Sequence, residues 1–377
     1  MNTYFDNLPE VNFAEKDTDL IVSEMISSFE SEAGRKLFPS DPMRLLILTF
    51  ANYIVMQRNK IDDSAKQNFL KYAREGYLEN LSALLDVKRL GAAPAVTTLK
   101  FAISAVQPSA VTIPKGTRVT PGNKIYFCTM EDADISQGRL YIEVEAECTE
   151  AGEVGNNFYP GQINKLTDPF PYFESVENIT ISQGGSDVEG LDSLRERTRI
   201  APESFSSAGA TGAYQFWAKT ASQLISDVSV ESPEPGVVEI IPLLKDGELP
   251  SEDILNKVFK ECNDQKRRPL TDLVKVRMPE TVKYNVSLKY YISRSKSSLG
   301  LSIQNKVNES IQGYVIWQKS ALGRDINPSE LIRLIMATGA KRVEIQEPAF
   351  RRIEYYQIAL LEQMSQMSIV YGGLEDD

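Results

Sequence analysis

Residues 184–197 read Gly-Gly-Ser-Asp-Val-Glu-Gly-Leu-Asp-Ser-Leu-Arg-Glu-Arg, and residues 209–214 read Gly-Ala-Thr-Gly-Ala-Tyr. The pair Gly184-Gly185 ends a region of strand-like alternation. Asp187, Glu189 and Asp192 then suit the positive end of a helix over Leu191–Ile200. A second helix starts at Thr211, read as its cap. No nucleophile, metal cage or phosphate loop accompanies the stretch. It reads as a join between a β module and a mixed α/β module. Gly184, Gly185, Gly209 and Gly212 are its candidate hinge points, and Gly91, where the β module starts, is another.

Between Gly91 and this join the apolar period is 2. Leu99, Phe101 and Ile103 alternate with Lys100, Ala102 and Ser104, and Val111-Thr112-Ile113 runs into the turn Pro114-Lys115-Gly116-Thr117. Leu140, Ile142, Val144, Ala146 and Cys148 face one way, while Tyr141, Glu143, Glu145 and Glu147 face the other. An antiparallel sheet with one wet face has this pattern.

Before about Leu90 the period is 3.6. One helix covers residues 19–29. A second starts at Asp41-Pro42, cap and first turn, and carries Leu46, Phe50, Tyr53, Ile54 and Ile61 on one face. The pattern predicts a third helix from about Asp63 to Leu85, with Phe69, Tyr72, Ala73, Leu81 and Leu84 as its apolar side and Gly76 as a break. The uncharged run 45–56 is shorter than the roughly 20 residues that span a bilayer, so it reads as a buried core helix. Beyond the join, strands near 228–230, 237–244, 274–278, 286–292 and 343–345 alternate with helices near 251–259, 299–317 and 328–339. The fold class is therefore α+β and multidomain: a helical region 1–90, an antiparallel β domain 91–186, and α+β subdomains 187–280 and 281–377.

At 377 residues the chain exceeds one ordinary core, and 42% hydrophobic with 25% charged residues is a globular composition. The net charge of -11 argues against binding nucleic acid in bulk. Histidine is absent, which removes Ser-His-Asp and Cys-His machinery and every His-ligated zinc site. Cys128, Cys148 and Cys262 are odd in number and widely spaced, so reduced, mostly buried thiols are expected. The first residues carry no basic-then-apolar signal, and neither secretion nor membrane insertion is expected.

The remaining candidates for chemistry each have a plainer reading. Asp187, Glu189 and Asp192 lack the further oxygens of a calcium loop and suit a helix start instead. As a hydrolase pair, Asp187 and Glu189 do not by their sequence nearness supply a separation across a cleft. Glu143, Glu145 and Glu147 form a solvated strand face or a dock for a basic partner. Lys266, Arg267 and Arg268, continued by Lys275, Arg277, Lys283 and Lys289, lack a stacking pattern for nucleic acid and suit an acidic protein neighbour. Ser207 has no base near it, and Tyr214 with Lys219 reads as structural. No catalytic residue, cofactor or metal site is expected.

Four segments, in order, resemble the baseplate J-like family, the wedge proteins of contractile phage tails and related injection machines. The first is Phe69-Leu-Lys-Tyr-Ala73-Arg-Glu-Gly76-Tyr-Leu78, leading to Leu85, Arg89 and Ala92. The second is Ile113-Pro114-Lys115-Gly116-Thr117, with Phe127 and Thr129 beyond it. Glu153-Val-Gly155-Asn156-Asn157, then Gly161-Gln-Ile163, is the third. The last is Gly184-Gly185-Ser-Asp187-Val-Glu189 with Arg195-Glu-Arg197, then Gly209-Ala-Thr211-Gly212-Ala-Tyr214. The resemblance covers about residues 41–230; after about Pro250 it rests on layout.

It implies a non-enzymatic structural subunit, folded in the host cytoplasm and then part of a baseplate. Such a subunit pairs with a second copy of itself and with another wedge protein. It surrounds a central hub or spike, connects to the sheath initiator or sheath, and rearranges when contraction is triggered. A peripheral adaptor or receptor-contact protein of the same particle is the alternative, and a cell-wall hydrolase a more distant one.

Overall fold

The computed structural model describes residues 3–205, 210–265, 267–363 and 367–376. Ser207, Gly209 and Lys266, singled out above, lie outside the described residues. The chain forms two compact units: Met1–Arg89 with Gly190–Pro202, and Leu90–Glu189 with Glu203–Asp377.

The first unit is helical: α1 (Thr3–Asp6), α2 (Thr18–Ala33), α3 (Pro42–Lys66), α4 (Glu75–Ala83) and α5 (Leu191–Ile200). Asp17 caps α2 by accepting from the Asp19 and Leu20 amides, and Gly34, at φ +65°, ends it in the left-handed region. Asp41 caps α3 through the Met43 amide, with Pro42 in the first turn. Ile26, Leu37 and Ile47 make a small core with Val22, Met25, Phe29 and Met43. Helix α5 packs on α4, although the residues on both sides of it in sequence belong to the second unit.

Two expectations are corrected in this unit. The run 45–56 is not a buried helix: α3 buries Ile47 and Ala51, while Leu45, Leu46, Phe50, Tyr53 and Met56 are exposed. Periodicity marks an apolar face but not what covers it. The predicted third helix is also broken, at residues 67–74 rather than at Gly76, which sits inside α4.

The second unit opens with the β module. Its strands are β1 (Pro94–Ile103), β2 (Val111–Ile113), β3 (Arg118–Gly122), β4 (Ile125–Thr129), β5 (Ala133–Ile135), β6 (Tyr141–Ala151), β7 (Lys165–Leu166) and β8 (Phe173–Asn178). Six of them form one antiparallel sheet in the order β7-β3-β4-β6-β1-β8, and β2 pairs with β5. Leu99 stands opposite Val144, and Phe101 lies between Ile142 and Val176. The sheet curls to a near-closed barrel. Its ends meet where the Ile163 amide donates to the Asn178 side chain (2.8 Å) and the Asn178 amide to the Ile163 carbonyl (3.2 Å). Most of the predicted inward residues fill it: Leu99, Phe101, Ile103, Val144, Ala146 and Cys148 are buried and Ile142 packs against them, whereas Leu140 is exposed because it lies in the loop before β6.

Next, α6 (Thr211–Ala221) and α7 (Glu252–Cys262) pack on β9 (Ile225–Glu231), β10 (Val237–Leu244) and β11 (Leu273–Val276). Central β10 is almost continuously apolar because both of its faces are covered. It pairs antiparallel with β9 and parallel with β11.

The last part holds β12 (Glu280–Tyr284), β13 (Ser287–Ser293), β14 (Arg342–Glu347), β15 (Gln357–Leu361) and β16 (Ser368–Glu375), with α8 (Gly300–Lys319) and α9 (Pro328–Ala337). Leu288, Ile292, Val307, Ile311 and Tyr314 are among its buried core. Strands β15 and β16 did not stand out in the sequence. Each pairs parallel with a distant strand, β12 and β13 respectively. The α+β class expected from the sequence is the fold observed.

Candidate functional site

Two motifs read separately from the sequence form one structure at the rim of the barrel. The Asn156 side chain donates to the Gly185 carbonyl (2.8 Å) and accepts from the Gly185 amide (2.9 Å). The Ser186 and Gly152 amides both donate to the Ala93 carbonyl, at 2.9 and 3.0 Å, and the Ala93 amide returns a bond to Ser186. Ser182 Oγ donates to the Gly155 carbonyl (2.7 Å) and accepts from the Phe158 amide (2.9 Å). The Gly-Asn turn and the Gly-Gly stretch are thus the two jaws of one clasp around the start of β1.

The glycines there answer to space. A Cβ on Gly185 would stand 2.4 Å from the Gly152 carbonyl oxygen, and one on Gly155 would stand 2.8 Å from Cys148 Cβ. Gly184 instead has φ +87° with its nearest neighbour at 4.0 Å. Gly91 meets neither limit, while a Cβ on Gly212 would press on the Glu203 side chain at 2.8 Å.

The acids of the signature go to different partners. Asp187 is exposed and accepts from the Glu153 amide (3.3 Å). Glu189 is buried, and its carboxylate accepts from the Leu90 amide (3.0 Å). Asp192 pairs with Arg195 on α5. Among the described residues no group of three or more Cys, Asp or Glu could hold a metal ion.

Arg195 and Arg197 act inside the helical unit. Arg195 donates to the carbonyls of Leu70 and Ala73, both at 2.8 Å, and Arg197 to the carbonyl of Lys88 (2.6 Å). Ala73 and Leu78 are fully buried, Gly76 is exposed, and Arg89 pairs with Glu79 (3.2 Å). In the barrel, the Pro114 carbonyl accepts from the hydroxyls of Thr117 (2.7 Å) and Thr129 (2.8 Å), and Gly116 supplies φ +84° to the turn.

Thr211 is the first residue of α6 and not its cap; Ala210 occupies that position without a side-chain bond. Tyr214 is buried and its hydroxyl donates to Asp272 (2.7 Å). Burial, then the Asp272 carboxylate, pushes that hydroxyl well above the ordinary tyrosine range.

Much of the basic stretch is absorbed internally. Arg267 stacks on Trp217 (4.2 Å to the ring centre) and pairs with Glu261. Arg268 donates to the Asp272 carbonyl (2.6 Å), and Arg277 grips Glu239 with two bonds at 2.8 and 3.0 Å.

The outward side of α3 is an exposed apolar face. Leu45, Leu46, Phe50, Tyr53, Met56 and Ile61 lie there with about half or more of their surface in solvent, Leu45 reaching 64% and Tyr53 62%. The sequence marks Leu46, Phe50, Tyr53 and Ile61 as part of one helical face; Leu45 and Met56 join them in the structure, while Ile54 turns partly inward. That the face points outward becomes legible only once α2 has taken the other side.

Comparison with known proteins follows the same chain order. A model described as the baseplate J-like N-terminal domain matches residues 39–95, and one for the baseplate J-like barrel domain matches 98–185. The baseplate J-like central and C-terminal domains match 206–278 and 285–366. The chain is similar to baseplate protein J of Escherichia phage P2, with 31% identity over 174 residues, 46% of this chain and 57% of that protein. A solved baseplate of the anti-feeding prophage, six-fold symmetrised, contains a chain aligned over 96% of this one and 97% of its own length, at 12% identity and a TM-score of 0.44.

Proposed function

Because the chain belongs to the baseplate J-like family, we propose that it is a structural wedge subunit in the baseplate of a contractile tail or tail-like injection particle. The observation that carries this reading is the ordered run of four domains of one family between residues 39 and 366.

The bare face of α3 supports it physically. Burying six such side chains against another protein supplies on the order of 10 kcal/mol before the cost of association. A face of this kind suits a subunit whose helical unit is completed by neighbours. In this proposal the neighbours are a second copy of the chain and another wedge protein. The chain surrounds the hub or spike, reaches the sheath initiator or sheath, and repacks its interfaces on triggering. It folds in the host cytoplasm before joining the particle. Gly91, Gly184, Gly185, Gly209 and Gly212 stand as proposed points of movement, although the packing of Gly185 and Gly212 favours fixed joints there.

The test is assembly. Particles made with Phe50→Glu and Tyr53→Glu together should lack an ordered baseplate while the purified chain keeps its far-UV circular dichroism. Normal, contractile particles carrying that folded variant would overturn the role given to α3. Particles that never contain the chain would overturn the wedge assignment itself.

A further inference from the structure

The eight residues between α3 and α4 present a conflict between sequence and structure. Residues 67–75 read Gln-Asn-Phe-Leu-Lys-Tyr-Ala-Arg-Glu, mostly good helix formers with no proline or glycine. The helical pattern runs through them, yet α3 stops at Lys66 and α4 starts at Glu75. The backbone in between keeps helix-like turns, with the Phe69 amide on the Lys66 carbonyl (3.0 Å) and the Ala73 amide on the Phe69 carbonyl (2.9 Å). Glu75 sits at φ +45°, an unfavourable region for glutamate. Leu84 and Phe69, apolar positions of the uninterrupted pattern, are left exposed, Leu84 by 81%.

Specific polar contacts hold this break. The Arg74 guanidinium grips Asp63 with two bonds at 2.7 and 2.9 Å. In a straight helix those residues, eleven apart, would be separated by about 16 Å along the axis. Buried Gln67 accepts from the Arg74 amide (3.2 Å). Arg195, 121 residues on from Arg74, ties down the Leu70 and Ala73 carbonyls, which a continuous helix would use for its own amides.

We infer that the α3–α4 junction is a two-state element: the bent form seen here, and a straight form in which α3 runs on through residue 83 as one helix. Arg195 is the pin. It stands on a helix whose two flanks, at residues 189 and 203, continue into the other unit, so tension on either flank acts on the pin. Release lets local helix propensity take over, and it also breaks the contacts that Lys71 and Tyr72 make to Glu10 and that Phe69 makes to Phe13, whose amide stays on Asp62 of α3. This inference stands apart from the wedge assignment and does not need it.

Spin labels at Asn59→Cys and Asn80→Cys read the state in the full chain. Both sites are exposed; Cys128→Ser clears the background, since Cys148 and Cys262 are buried. A straight helix puts the labelled backbones about 32 Å apart. The unmutated junction should give a single population away from that distance. Arg195→Ala removes two charge-assisted bonds and should raise the straight-to-bent ratio roughly a hundredfold or more. Arg74→Ala, at a solvent-exposed pair, should raise it by less and spares the fold if Arg195→Ala does not. A 32 Å population in either folded variant supports the switch. Its absence from Arg74→Ala and from Arg195→Ala, or from Arg74→Ala alone where Arg195→Ala unfolds, overturns it.

Discussion

Replacing Gly185 with alanine separates a packing joint from a hinge. The new Cβ would stand 2.4 Å from the Gly152 carbonyl oxygen, 2.8 Å from Asn156 Oδ1 and 3.1 Å from Ala95 Cβ. The nearest of these is backbone and cannot rotate away, so the two jaws must part. Overpacking of that kind costs about 1–3 kcal/mol. Parting also weakens the two Asn156–Gly185 bonds, at about 1 kcal/mol each. The sum is about 3–5 kcal/mol of local stability. Whole-chain melting would blur this, because several domains need not unfold together.

Hydrogen exchange on peptides covering 152–158 and 182–189 reads the local opening directly. With tenfold per 1.4 kcal/mol, exchange there should quicken by roughly a hundredfold to a few thousandfold. Gly184→Ala has room but a left-handed φ, and should lose only about 1–2 kcal/mol. Gly91→Ala has neither constraint and should behave as wild type. Exchange in Gly185→Ala within threefold of wild type, or Gly91→Ala as the most disruptive of the three, would refute the packing account and favour a hinge.

Other consequences are open to measurement. Tyr214→Phe removes the bond to Asp272 and should cost about 1–2 kcal/mol, read as faster exchange in α6 and α7 with the remaining peptides unmoved. Asp62 is buried and accepts from the Lys16 ammonium, the Phe13 amide and the Lys66 ammonium, which hold its carboxyl far below the usual range. Its folded pKa lies below its unfolded one, so its contribution is full above pH of about 4 and fades as the pH falls further. Proteolysis of residues 8–16 should therefore start to rise below that pH in wild type and be elevated at neutral pH in Asp62→Asn; a flat wild-type profile down to pH 2 would contradict this. Burial pushes all three thiols up, Cys262 to about 12. A thiol reagent at pH 8 should find Cys128 first and slowly, and three thiols only after denaturation; immediate reaction of all three in the native chain would contradict the buried cores described.

Local patterning in the sequence was enough for several features. Alternation at Tyr141–Cys148 set the inner and outer faces of β6, because a strand sends successive side chains to opposite sides whatever surrounds it. Asp41-Pro42 set the start of α3 for an equally local reason, a carboxylate reaching the next amides. The ordered glycine, asparagine and arginine motifs carried the family resemblance. Tertiary structure decided what depends on contacts between residues far apart in the chain. Nothing in either motif says that Asn156 clasps Gly185, 29 residues on. No periodicity shows that Arg195, besides pairing with Asp192, reaches across to pin Leu70 and Ala73, or that the apolar side of α3 stays bare. Period and capping are short-range properties of one segment. Which surface covers a face, and which remote side chain overrules a helix at residues 67–74, are settled only when distant segments compete for the same backbone groups and the same buried space.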